Sequence, residues 1–243
     1  MLKKTLIMTC MFTSMSVIAA DKEKEILPGE SKWSGEAELG YLRTSGNTDT
    51  ESVNAKGKVV NERHKWRHTG TLETVNKSDR DVKTAERYLA TFKSDYKIDD
   101  RSYFFGILTY EDDRFSGYEY QVSEVLGYGY TVIKRDDLIL DLEAGAGARQ
   151  SKLETGASVN EALFKGAANL EWKLSDTSTF IQNLSVEAGD DITITRSLTA
   201  LKMQIVGNLA AKLSHSIKHT SDVPAGFDDT DTESAVTLVY SFN

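Results

Sequence analysis

The sequence predicts an all-β protein: an antiparallel transmembrane β-barrel of about 12 strands, in the outer membrane of a Gram-negative bacterium. Three observations predict it. The chain ends in a strand, residues 234–243, whose Val236, Leu238, Tyr240 and Phe242 share one face; Ala235, Thr237 and Ser241 share the other, with Val239 the apolar exception. Segment after segment alternates in this way, and many reach about ten residues, the length at which a tilted strand crosses a bilayer. The connections alternate too. Those after odd-numbered strands are mostly longer and those after even-numbered strands tight, as in a barrel that starts in the periplasm.

Residues 1–20 read as a signal peptide: Lys3 and Lys4 form its charged start, residues 6–18 its apolar stretch, and Val17-Ile-Ala-Ala20 its cleavage site, after Ala19 or Ala20. The apolar stretch is short for a spanning helix and contains Thr9, Thr13, Ser14 and Ser16. Cys10 is a poor lipidation site, because Met8 stands where a small residue is wanted. Cleavage removes this only cysteine, so the exported chain needs no disulfide chemistry. The formal net charge of −8 loses two lysines and no acid, reaching roughly −10, which disfavours nucleic acid as a partner. No later run of about twenty apolar residues suits a helical span. The two prolines, Pro28 and Pro224, fall outside every predicted strand.

Residues 21–32 are a charged periplasmic lead-in, and the barrel is predicted over 33–243. The first strand places Trp33, Gly35, Ala37, Leu39 and Tyr41 on one face, with Glu36 and Glu38 on the other. Two glutamates at this spacing resemble an acid–base or metal pair, but the recurring alternation makes a polar lumen face the better reading. After a turn at 44–49, the second strand sets Val53, Ala55, Gly57 and Val59 against Asn54, Lys56 and Lys58. A tight turn at 62–65 leads to a third strand over 66–76, then a longer charged loop at 77–83. The fourth carries Tyr88, Ala90, Phe92 and Tyr96 opposite Thr91, Lys93 and Asp95.

A turn at 97–101 opens the fifth strand at Tyr103, which runs to Glu111, and a loop at 112–117 follows. In the sixth, Tyr118, Tyr120, Val122, Leu126, Tyr128 and Tyr130 share parity, a stripe suited to interfacial aromatic girdles and interrupted by Glu124. The seventh, 138–148, alternates leucines and alanines with Asp141, Glu143, Gly145, Gly147 and Arg149. Gly145 and Gly147 are read as easing sheet curvature, since no helix or lysine makes them a phosphate loop. A loop at 150–160 precedes the eighth strand, with Ala162, Phe164, Gly166, Ala168, Leu170 and Trp172 opposite Lys165, Asn169, Glu171 and Lys173. The remaining strands are predicted at 179–188, 193–203, 206–218 and 231–242.

Several stretches resemble the YdiY-like family of salt-induced, in some members acid-inducible, outer-membrane proteins. They are Thr44-Ser-Gly-Asn-Thr-Asp49, Asp113-Arg-Phe-Ser-Gly-Tyr118, Gly127-Tyr-Gly-Tyr130, and His219-Thr-Ser-Asp-Val-Pro-Ala-Gly-Phe227 leading into Thr230-Asp-Thr232. The resemblance implies an outer-membrane barrel in an envelope-stress context and supplies no catalytic residue. The last strand also resembles the insertion signal read by the barrel-assembly machinery, departing from it by the extra Asn243.

The chemistry-bearing residues give no catalytic, cofactor or metal assignment. His215 and His219 lie four apart, about 13 Å along a strand and too far for one ion; His64 and His68 meet the same objection. His219 and Ser221, about 7 Å apart along a strand, are the residues an outer-membrane lipid hydrolase would use, as in the His-x-Ser arrangement of outer-membrane phospholipase. No third orienting group is specified. Asp112, Asp113, Asp190, Asp191, Asp228, Asp229 and Asp231 fall in predicted outer loops, where they could share divalent cations with lipopolysaccharide. The predicted lumen face mixes Glu36, Glu38, Glu73, Asp95, Asp141, Glu143 and Glu171 with Lys56, Lys58, Arg67, Lys93, Arg149, Lys165, Lys173 and Lys212. That balance predicts a narrow interior of cross-strand pairs, a non-enzymatic envelope barrel, and passage of nothing larger than small solutes or ions. A soluble periplasmic β-protein burying its apolar faces is the remaining alternative.

Overall fold

The computed structural model describes residues 27–44, 50–80 and 82–242. The predicted signal peptide, most of the lead-in and the turn at 45–49 lie outside them. Twelve strands follow in order: β1 (Ser31–Thr44), β2 (Thr50–Arg63), β3 (Trp66–Asp79), β4 (Val82–Lys97), β5 (Ser102–Asp113) and β6 (Tyr118–Lys134). The second half comprises β7 (Leu138–Leu153), β8 (Ser158–Ser175), β9 (Ser178–Gly189), β10 (Thr193–Val206), β11 (Leu209–Thr220) and β12 (Thr230–Phe242). Each pairs antiparallel with its neighbours in sequence, and β12 pairs with β1 to close the barrel. Closure gives strand edges hydrogen-bond partners inside the sheet, the condition for placing backbone in hydrocarbon.

The outer wall is apolar. Leu72, Leu126, Val236 and Leu238 point outward, and Leu126 is 76% exposed. A soluble sandwich would bury these side chains, so the soluble alternative fails on the fold itself. Near the rim that holds the short turns, outward aromatic residues form a belt: Trp33, Trp66, Tyr96, Phe104, Tyr130, Trp172, Tyr240 and Phe242. Trp66 meets Tyr96 edge-on at 5.0 Å. Toward the other rim stand Tyr41, Tyr88, Tyr110 and Tyr120, the last two stacked at 6.2 Å. An apolar wall between two aromatic belts on a closed barrel is the exterior of an outer-membrane protein.

Strands of 12 to 18 residues exceed what a bilayer requires. Several predicted connections are therefore strand. β2 continues to Arg63, so the turn is only 64–65. The charged stretch at 77–83 is not a long loop: β3 runs to Asp79 and β4 resumes at Val82, with a bulge between Lys77 and Ser78 and Arg80 at φ 49° making the reversal. The loop predicted at 150–160 contracts to 154–157, and Asp112 and Asp113 end β5 instead of lying in a loop. Outside the bilayer a strand can be polar on both faces, so charge does not mark its end. Tyr118 also leaves its predicted stripe, because a bulge between Tyr118 and Tyr120 turns it inward. Glu124 keeps the outward register between Val122 and Leu126.

Candidate functional site

The lumen is the candidate site, and its inner wall has two parts. On β5, Tyr103 and Phe105 point inward and pack with Val125 of β6 and Leu163 of β8, with Ile107 against them. Glycines make the room. A Cβ on Gly129 would stand 2.2 Å from the Tyr103 ring, and one on Gly127 2.5 Å from Phe105. A Cβ on Gly147 would stand 1.8 Å from the Glu124 carbonyl oxygen, so β6 and β7 also approach through a bare backbone. The Tyr103 hydroxyl donates to Glu143 at 2.7 Å. Lys93 also binds Glu143, and its Nζ lies 5.2 Å from the centroids of both Tyr103 and Phe105.

The remainder of the wall is ionic. Near the short-turn rim Lys202 binds Glu36, and Arg67 binds Glu62 at 2.7 Å. Further in, Lys212 meets Glu38 at 2.5 Å and Lys56 meets Glu73 at 2.5 Å. Toward the far rim Glu111 accepts from Arg196 at 2.7 Å and from Lys218 at 2.8 Å. Beside them Lys165 binds Glu187 at 2.7 Å. Arg149, 1% exposed, lies 3.5 Å from Glu161 and donates to the Glu187 carbonyl at 3.3 Å. Its Nε has no hydrogen-bond partner among the described residues. Thr109, Glu111, Gln121, Ser123, Arg149, Glu187, Ile194 and Arg196 enclose a cavity of about 10 Å³, room for one water molecule.

The first-strand glutamates thus each meet a lysine inside the barrel, Lys202 on Glu36 and Lys212 on Glu38. His215 and His219 face outward, their Nδ1 atoms within 2.9 Å of Ser234 Oγ and Thr230 Oγ1. Ser221 Oγ accepts the Thr193 amide at 2.9 Å. The structure therefore gives His219 and Ser221 separate partners and does not assemble them as a dyad. Sequence reasoning missed Glu111, Glu161, Glu187, Arg196, Lys202 and Lys218 as lumen residues. Their parity on the strands was the available signal, but the ninth and tenth strands alternate weakly. It also missed the inward aromatic residues, whose signal was the inward glycines opposite them on the paired strand β6.

The family described as "Protein of unknown function, DUF481" matches residues 37–242. The chain belongs to this family. An uncharacterised protein of Escherichia coli (strain K12), YdiY, is 28% identical over 236 residues, spanning 95% of this chain and 93% of that one. Among solved structures, the NanC porin superposes with a TM-score of 0.53 at 11% identity, over 86% of this chain and 99% of that chain. An outer-membrane channel from Pseudomonas putida F1 gives 0.53 at 8% identity, over 92% and 100%. At such identities the likeness concerns the fold alone, a closed barrel like those of outer-membrane porins and channels. The apolar wall and its aromatic belts place this barrel in the outer membrane.

Proposed function

We propose that this family member is a non-enzymatic outer-membrane barrel that passes small ions or small polar solutes along its ionic inner wall. The observation that carries the reading is the run of lumenal ion pairs from Lys202–Glu36 at one rim to Lys218–Glu111–Arg196 toward the other. A barrel needed only as a rigid body could fill its interior with hydrocarbon, since replacing buried ion pairs by apolar groups is often neutral or stabilising. Fixed charges of both signs along the wall instead offer a moving ion successive partners. Selectivity by charge is weak in such a lumen and selectivity by size is strong. The role in salt or acid stress rests on the family resemblance, and lipopolysaccharide and the assembly machinery are the partners this reading implies.

The test is permeation by liposomes loaded with purified, folded protein. Release of potassium and chloride without release of a disaccharide supports the reading. No release of either ion, from protein that still shifts mobility on boiling, rejects it.

A further inference from the structure

We infer that the β12–β1 seam is a lateral portal between the lumen and the outer leaflet, taking a small amphipathic molecule with an uncharged, hydrogen-bonding head. This route rests on the lumenal pathway proposed above. β1 pairs with β2 along its whole length, from Ser31 with Arg63 to Thr44 with Thr50. With β12 its register covers only Gly35–Leu39 against Phe242–Leu238. Past Leu39 the two strands lie side by side without a ladder, over the half of β1 farthest from the short-turn rim.

What bridges the two edges there is a side chain. Asn54 of β2 reaches past β1 and donates to Glu233 of β12 at 2.6 Å, and Arg87 stands 3.8 Å from the same carboxylate. Beside this bridge, the Asn54 Oδ1 and Thr237 Oγ1 atoms are buried and have no hydrogen-bond partner among the described residues. Both flank Gly40, where a Cβ would lie 2.9 Å from Thr237 Cγ2 and 3.8 Å from Asn54 Cβ. Unpaired polar groups in such a place are costly. A hydroxyl or amide head between Asn54 and Thr237 would satisfy them. Outside the seam Tyr41 and Val236 are exposed, an apolar exit for the molecule's tail. Glu233 is already engaged, so the free groups are uncharged and select a neutral head.

The experiment locks the seam. Gly40→Cys with Thr237→Cys brings two Cβ atoms within disulfide reach, and Cys10, the only native cysteine, lies in the segment expected to be removed on export. Proteoliposomes receive a fluorescent monoacylglycerol from cyclodextrin, and its uptake and ion conductance are followed in oxidised and reduced protein. Oxidation is expected to slow uptake about tenfold, because the cross-link removes the open state, while conductance stays unchanged. Gly40→Ala, which wedges a methyl against Thr237, is expected to speed uptake and guards against a misfolded cysteine pair. Uptake equal in oxidised and reduced forms, with conductance intact, overturns the portal and leaves the lumenal pathway standing. Absence of both uptake and conductance in every form overturns both.

Discussion

On the β5–β8 side of the lumen, Tyr103 and Phe105 lie across Gly129 and Gly127 with no space for a further carbon atom. On the β9–β12 side, Arg196, Lys202, Lys212 and Lys218 each meet a carboxylate from another strand. The first wall sets the volume of the lumen through packing, where each missing or added methylene is felt. The second sets its polarity through paired charges, which depend on the sum of the pair more than on which strand carries which sign. A barrel can therefore be narrow and still wettable. The difference predicts that the two walls respond to mutation in different ways.

Phe105→Ala should have the largest effect. Emptying a buried phenyl site costs about 3–5 kcal/mol, read as a lower unfolding midpoint in a denaturant series scored by the boiling-dependent gel shift. Ion conductance should rise, because the ring fills lumen space. A fall in stability with no change in conductance would mean that Phe105 does not limit the passage.

Glu111→Gln comes next, at up to about 3 kcal/mol, since it leaves Arg196 and Lys218 without the carboxylate charge and second oxygen they share. The reversal potential under a salt gradient should move toward anion preference. Gly129→Ala should cost about 1–3 kcal/mol through overpacking, and adding Tyr103→Leu should recover part of it, because the ring is what the new methyl strikes. Recovery would place the strain in the aromatic wall; none would place it in the backbone.

Exchange across the ionic wall is the milder test. Lys202→Glu alone should cost about 1 kcal/mol, and Glu36→Lys in the same chain should restore most of it. The smallest effect lies outside the lumen. In the turn at 98–101, Asp99 accepts the amides of Arg101 and Ser102 at 2.8 and 2.7 Å, which hold its carboxyl below the usual aspartate range. A carboxyl lowered on folding adds stability above its unfolded pKa of about 4 and loses it as pH falls through the lower folded value. Asp99→Asn should flatten that part of the acid-unfolding profile and leave the rest unchanged.

The barrel was legible because outward stripes such as Trp33–Leu39–Tyr41 and Val236–Leu238–Tyr240 repeat with period two and end in aromatic residues. Closure, strand number and the ionic partners Glu36, Glu38, Lys56 and Glu73 followed from the same parity. Strand ends were not legible at 77–83 or 150–160, because polar residues alternate as readily in water-exposed strand as in loop. Tyr103 and Phe105 were obscured by a simpler rule, apolar outside and polar inside, which fails where glycines on the neighbouring strand β6 leave a ring-sized space. Gly145 and Gly147 were read as points of curvature; what the structure shows at both is close approach to β6. The seam was invisible to periodicity altogether, since the alternation of β1 and β12 continues past the place where their pairing stops.

On the proposed reading the folded barrel conducts through a lumen narrowed by Tyr103 and Phe105. The most direct measurement is single-channel recording in planar bilayers, comparing the native protein with Phe105→Ala. Small discrete steps are expected from the native protein, with larger steps of the same weak charge preference from the variant. Two heat-modifiable, correctly inserted proteins that both remain silent would contradict it.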